Sequence, residues 1–189
     1  MHGTATRVFV VAAALIASAS TAVAQGTTTE SSRPFKFGGM LGATLPTGDF
    51  GDIAGTGYHF GALGEYGRPA WPFAIRGELT YHRNDIDDID GNVSVLSFVG
   101  NIAFPFGDAA STTRPYIIGG LGVHNVDISV EIPGEGDDSE SETKFGVNFG
   151  GGITFDLAGF QTFVEARYHS VFTSGSNTTF IPLSFGFKF

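Results

Sequence analysis

Cysteine is absent from this 189-residue chain, which excludes disulfide staples and thiolate metal sites. Positive charge is scarce. Ten Lys and Arg stand against 19 Asp and Glu, for a net charge of −9, and an acidic chain argues against nucleic acid as a partner. No stretch reaches the roughly 20 apolar residues that a membrane-spanning helix needs. The five histidines make no H-x-x-x-H spacing, so no zinc motif is present. What the chain has instead is 28 Gly and 19 Phe. That mixture is poor for helices and suits a small barrel, with aromatics on one face and glycines on a crowded other face.

The beginning of the chain reads as a secretory signal peptide over residues 1–24. One charge, Arg7, precedes an apolar run from Val8 to Ala17, and Ala22-Val23-Ala24 supplies a small-residue cleavage site before Gln25. The apolar run is too short to span a bilayer. Residues 25–33 read as a polar, flexible periplasmic leader, and 34–189 as one domain. If that domain enters a membrane, it does so as a closed sheet, because lipid leaves backbone groups no other way to be satisfied.

Eight segments alternate with a period of two, which places successive side chains on opposite faces of a strand. They are Phe35 to Leu45, Tyr58 to Tyr66, Phe73 to Arg83, Val93 to Phe106, Tyr116 to about Ile132, Lys144 to Leu157, Phe160 to Phe172, and the carboxy-terminal run. The third is the cleanest, with Phe73, Ile75, Leu79 and Tyr81 opposing Arg76, Glu78, Thr80 and His82. In the fourth, Val93 and Val95 sit on the wrong parity for Leu96 and Phe98, which suggests a bulge near Val95. The fifth changes parity between Val123 and Val126, through a bulge or a change of environment. Phe163 falls on the polar parity of the seventh and is expected to fill the interior.

The connections alternate too. Segments 46–57, 84–92, 133–143 and 173–179 are long or polar, and 67–72, 107–113 and 158–159 are mostly shorter. Long loops on one side and short turns on the other are what an outer-membrane barrel shows. In the last strand Ile181, Leu183, Phe185, Phe187 and Phe189 share one face, while Pro182, Ser184, Gly186 and Lys188 share the other.

Several stretches carry a family resemblance: Leu45-Pro46-Thr47-Gly48-Asp49-Phe50, the run from Pro115 to Val123, Phe163-Val164-Glu165-Ala166-Arg167-Tyr168, and the terminal strand. The chain resembles the small bacterial outer-membrane β-barrel family, the group with OmpX and the OmpA membrane domain. The resemblance implies an all-β fold, an eight-stranded antiparallel up-and-down transmembrane barrel. It implies outer-membrane lipid and lipopolysaccharide as surroundings, and the outer-membrane assembly machinery as reader of the terminal strand. A monomer without cofactor is expected. A soluble lipocalin-like barrel is the rival, with the same alternation and its faces exchanged.

The inward parity offers Lys36, His59, Glu65, Arg76, Glu78, His82, Lys144, Asp156, Glu165, Arg167 and Lys188. Charges enclosed in a lumen must be paired, so Lys36, Glu65, Arg76, Glu78, Lys144, Asp156, Glu165 and Arg167 are expected to form an ion network. A polar wall for solute passage is the alternative. On the long loops, Asp85, Asp87, Asp88 and Asp90 form one acidic group, and Glu135, Asp137, Asp138, Glu140 and Glu142 another. These groups either keep the loops solvated or hold Ca²⁺ or Mg²⁺ weakly.

Some barrels of this size deacylate lipid A with a His-x-Ser pair near the end of the seventh strand. Here His169 and Ser170 are adjacent, so they face opposite sides and cannot act together. The reading is therefore a non-enzymatic barrel serving envelope integrity or surface interaction through acidic loops, with a narrow low-conductance pore as the alternative.

Overall fold

The computed structural model describes residues 34–86, 91–108, 110–132, 136–172 and 177–189. The expected signal peptide, the leader before Pro34, and Asp87, Asp88, Asp90 and Glu135 lie outside the described residues.

Eight antiparallel strands close into one barrel in chain order. They are β1 (Phe35–Thr47), β2 (Gly57–Gly67), β3 (Ala74–Asp85), β4 (Gly91–Pro105), β5 (Thr113–Ile132), β6 (Gly136–Leu157), β7 (Phe160–Val171) and β8 (Thr178–Lys188). The last strand pairs with the first, with Leu41 opposite Phe185 and Gly38 opposite Lys188. Phe189 completes the seam by exchanging backbone hydrogen bonds with Phe37, at 2.9 and 3.0 Å. Closure leaves no open edge around the barrel wall.

The faces are those of a membrane barrel. Phe98, Leu121, Phe145 and Phe149 are each more than 60% exposed on the outer surface, whereas Arg76, Glu78, Glu165 and Arg167 are at most 3% exposed in the lumen. A water-soluble barrel would reverse this arrangement, so the lipocalin-like rival is excluded. Among the described residues no helix is long and apolar enough to cross a membrane; the crossing is made by strands. Aromatic rings gather at the short-turn end, where Phe35, Tyr66, Trp71, Phe73 and Phe104 form a chain of contacts with centroids 4.5–5.9 Å apart. The Arg68 guanidinium lies 5.6 Å from the centroids of both Tyr66 and Trp71. Amphipathic aromatics of this kind sit at the membrane–water boundary.

Two expectations need correction. No bulge occurs near Val95: the β3–β4 and β4–β5 registers run without a break through Val93, Val95 and Ser97. Val93 and Val95 point inward because the upper lumen is itself apolar, built from Phe50, Ala54, Val93, Val95, Val126, Val171 and Phe180. The parity change in β5 has the same cause, since Val126 belongs to that cluster and the register with β6 is also continuous. The second correction concerns 133–143. Most of this segment is not a loop, because β6 begins at Gly136 and pairs with β5 as far as Ile132. This part of β6 has no β7 partner, since the β6–β7 ladder starts at Gly146. It extends past the lipid-facing wall, so the apolar alternation that marks a strand in sequence is missing.

Large inward side chains are accommodated by glycine. A β-carbon on Gly186 would lie 2.3 Å from Phe163 Cζ, and one on Gly152 would lie 2.7 Å from the Tyr116 hydroxyl. The high glycine content is therefore a packing requirement of a narrow, filled lumen.

Candidate functional site

The centre of the lumen is an ion network. Arg76 on β3 donates from Nε to Glu65 Oε2 at 3.0 Å and from Nη1 to Glu165 Oε2 at 2.8 Å. Its Nη1 also lies 3.6 Å from Glu78 Oε1. Arg167 on β7 reaches Glu78 Oε2 through Nη2 at 2.7 Å, and its Nε lies 2.7 Å from Glu165 Oε1. Lys188 donates to Glu65 Oε1 at 2.6 Å, and the Tyr116 hydroxyl donates to Glu165 Oε2 at 2.6 Å. Three cations thus meet three carboxylates. The Arg76 guanidinium is also held between the rings of Tyr116 and Phe163, at 5.4 and 5.2 Å from their centroids.

The other residues expected in this network lie elsewhere. Lys36 donates to Gln161 Oε1 at 2.7 Å, and Asp156 meets both Gln161 and Arg114, forming a half-buried cluster toward the short-turn end. Lys144 pairs with Glu142 near the opposite end, on the stretch of β6 that faces His124. Sequence reading missed Arg114 and Tyr116, and it placed Gln161 on the polar parity of the seventh strand but outside the network. Arg114 and Tyr116 share the inward parity at the start of β5, but Ile117 and Leu121 dominate that segment and set its apparent character.

The lumen is layered along its length. Above the ion network lie His59, His82, His124 and His169, and above them the apolar cluster of Phe50 and Phe180. Below it Met40, Leu63 and Phe163 form a second apolar cluster. His169 is buried in the lumen and Ser170 is on the other face, so the pair does not converge.

The acidic groups are spread over several elements. Asp85 is exposed at the end of β3. Asp137, Asp138 and Glu140 lie on β6 opposite Glu131, Val130 and Ile128, and Glu142 lies opposite Val126. Among the described residues no group of three or more His, Asp or Glu side chains is placed to hold a metal ion.

The sequence profile of the outer membrane protein beta-barrel domain matches residues 9–189. The chain belongs to the outer-membrane β-barrel family. Its place is the bacterial outer membrane. No curated protein matches the sequence. Among solved structures, Neisserial surface protein A is similar with a TM-score of 0.64 at 18% identity, over 82% of this chain and 96% of that one. A major outer membrane protein from Thermus thermophilus is similar at 0.62 and 12% identity, over 83% and 99%. Ail of Yersinia pestis, solved with the heparin analogue sucrose octasulfate, is similar at 0.51 and 16% identity, over 83% and 100%. At these identities the likeness is one of fold. Outer-membrane barrels turn short connections to the periplasm and long ones outward. The β1–β2 connection over 48–56 and the β5–β6 ladder, which runs past the β6–β7 ladder, lie at the same end of the barrel, and the two-residue turn at 158–159 lies at the other, so the former is the outer end.

β5 has 20 residues and β6 has 22, where about 9–11 suffice to cross a bilayer. β7 pairs with β6 only from Gly146 onward, whereas β5 accompanies β6 up to Gly136. The β5–β6 hairpin therefore continues beyond the barrel wall on the outer side.

Proposed function

We propose that this outer-membrane barrel is non-enzymatic and non-conducting, and that it serves envelope integrity and surface interaction through the acidic β5–β6 hairpin. One observation carries the reading: Arg76, Arg167 and Lys188 are each bound to carboxylates within the lumen. Opening a solute path would separate buried charges at a cost of several kcal/mol each. A lumen so filled leaves the outer surface as the place of action. There the hairpin offers a charged, extended ladder. Its carboxylates also suit weak divalent-cation bridging to the phosphates of neighbouring lipopolysaccharide. The terminal face of Ile181, Leu183, Phe185, Phe187 and Phe189 serves recognition by the assembly machinery.

The test is conductance of the folded protein in a planar bilayer, with heat-modifiable gel mobility as the measure of folding. A folded, electrically silent barrel is expected. Discrete, reproducible openings would replace this reading with a narrow pore. For the hairpin, removal of residues 130–138 is expected to leave gel mobility intact while changing surface adherence or detergent sensitivity of cells. Unchanged cells would remove the hairpin from the proposal.

A further inference from the structure

Four imidazoles form a layer across the outer half of the lumen. His59 and His82 face each other on β2 and β3, with ring centroids 5.1 Å apart. His169 lies 6.4 Å from His82 and 6.2 Å from His124. None is more than 3% exposed. Their partners are hydroxyls. Thr44 Oγ1 meets Nδ1 of both His59 and His82, at 3.1 and 3.0 Å, and Ser184 meets His59 Nε2 at 2.9 Å. Thr80 meets His82 Nε2 at 3.2 Å, and Ser97 meets His124 Nδ1 at 2.7 Å. Both ring nitrogens of His169 lack a partner among the described residues.

The charged groups around the layer do not compensate it. On β7, Arg167 shares the inward face with His169 two residues away, and Glu165 is bound to Arg76. Glu78 on β3 is bound to Arg167. Lys144 on β6 stands opposite His124 in the register and is paired with Glu142. The inward residues of β1, β4 and β8 at this level are Thr44, Ser97 and Ser184, which are uncharged. A proton added to His82 or His169 therefore meets the Arg167 guanidinium, and the nearest carboxylates, Glu78 and Glu165, are already bound to arginines.

A cap lies over this layer and reaches it through Phe180. After β1 the chain makes a 3₁₀ turn at Gly48–Phe50 and folds inward, burying Phe50 and Ala54. Its bonds include the Gly51 amide to Gly48 O, the Ile53 and Ala54 amides to Phe50 O, the Gly55 amide to Asp85 O and Asn84 Nδ2 to Gly55 O, with a bridge between Ala54 and Ile86. Phe180 belongs to the same apolar cluster as Phe50 and stacks on His169, with centroids 5.0 Å apart and planes 17° apart. It also lies 5.1 Å from His82. The cap, Phe180 and the histidine layer are one packed unit. The only charged side chains on the cap are Asp49 and Asp52, both exposed.

We propose that the histidine layer and the Phe50 cap form an acid-responsive lid, in which protonation of His82 and His169 releases residues 48–54 from the outer mouth while the Arg76 network keeps the lumen shut. An imidazolium buried without an anion is costly, and water reaches it only when the cap lifts. Protons therefore bind the opened form in preference, and acid shifts the balance toward it. Lifting the cap would uncover Val93, Val95, Val126 and Phe180, which it buries in the closed form. Its operation does not depend on the role given to the hairpin.

The single native indole, Trp71, lies at the periplasmic end, which makes a fluorescence test direct. In the Phe50→Trp variant on a Trp71→Phe background, acrylamide quenching is measured between about pH 7.5 and about pH 5, a range in which histidine rather than ordinary carboxylates changes charge. The quenching constant is expected to rise about threefold or more in acid. The rise is expected to vanish when His82→Gln and His169→Gln are added. Equal quenching at both pH values, or a rise that survives the glutamines, overturns the lid. Hydrogen exchange of the unsubstituted protein, corrected for intrinsic rates, provides the second measurement. Protection of the Gly51 and Ala54 amides should fall in acid, and unchanged protection would count equally against the proposal.

Discussion

Arg76 Nη1 and Glu165 Oε2 stand 2.8 Å apart across the barrel, joining β3 to β7 through the lumen. These strands are not neighbours in the wall, so the contact braces the barrel internally.

Removing one partner should be far more damaging than the pair is stabilising. Arg76→Leu leaves Glu65 and Glu165 buried with fewer cations, and a loss of about 3–5 kcal/mol is expected. Lys36→Ala, in the half-buried cluster near the periplasm, should cost about 1 kcal/mol or less. Urea unfolding followed by gel mobility in lipid compares the two, and equal losses would mean that the central network does not carry the lumen.

Gly186 is required by Phe163. Gly186→Ala introduces a methyl 2.3 Å from Phe163 Cζ, and overpacking of this kind costs about 1–3 kcal/mol. Phe163→Leu in the same chain should recover part of the loss. A double variant no better than the single would place the strain in the nearby Gly39 carbonyl instead, 2.8 Å from that methyl.

The lipid-facing assignment is tested at Phe149, which is 65% exposed. Phe149→Arg should destabilise the barrel by about 2–4 kcal/mol if that position lies near the bilayer midplane. A surface residue of a soluble barrel would tolerate the change. Denaturant midpoints in bilayers of fixed thickness provide the measurement.

The carboxy-terminal seam should govern assembly. Deleting Phe189 removes both backbone hydrogen bonds to Phe37 together with the last aromatic of the terminal face. The expected result is a smaller folded fraction in cells, read by heat-modifiable mobility. Phe189→Tyr keeps the backbone pair and should assemble normally.

Much of this protein was legible in its sequence because burial by lipid imposes a strict period of two. Phe73, Ile75, Leu79 and Tyr81 could only lie on one face, and Arg76 and Glu78 only on the other. The terminal Phe alternation marked the closing strand in the same way. The pattern weakened where lipid was absent: around Val93 and Val95, which line an apolar mouth, and over Asp137 to Glu142, which stand above the wall. At both places the backbone ladder continues although the alternation does not.

Parity assigns a side chain to a face but not to a height along the lumen. Lys144 and Lys188 share the inward parity, yet Lys188 meets Glu65 from another strand whereas Lys144 meets Glu142 of its own strand near the outer rim. The strand register gathers four histidines from four strands into one layer. Composition and alternation determined the barrel, its membrane face and the sign of its interior. Only the tertiary structure, through stagger between strands far apart in the chain, decided which interior groups meet and that Phe50 caps them.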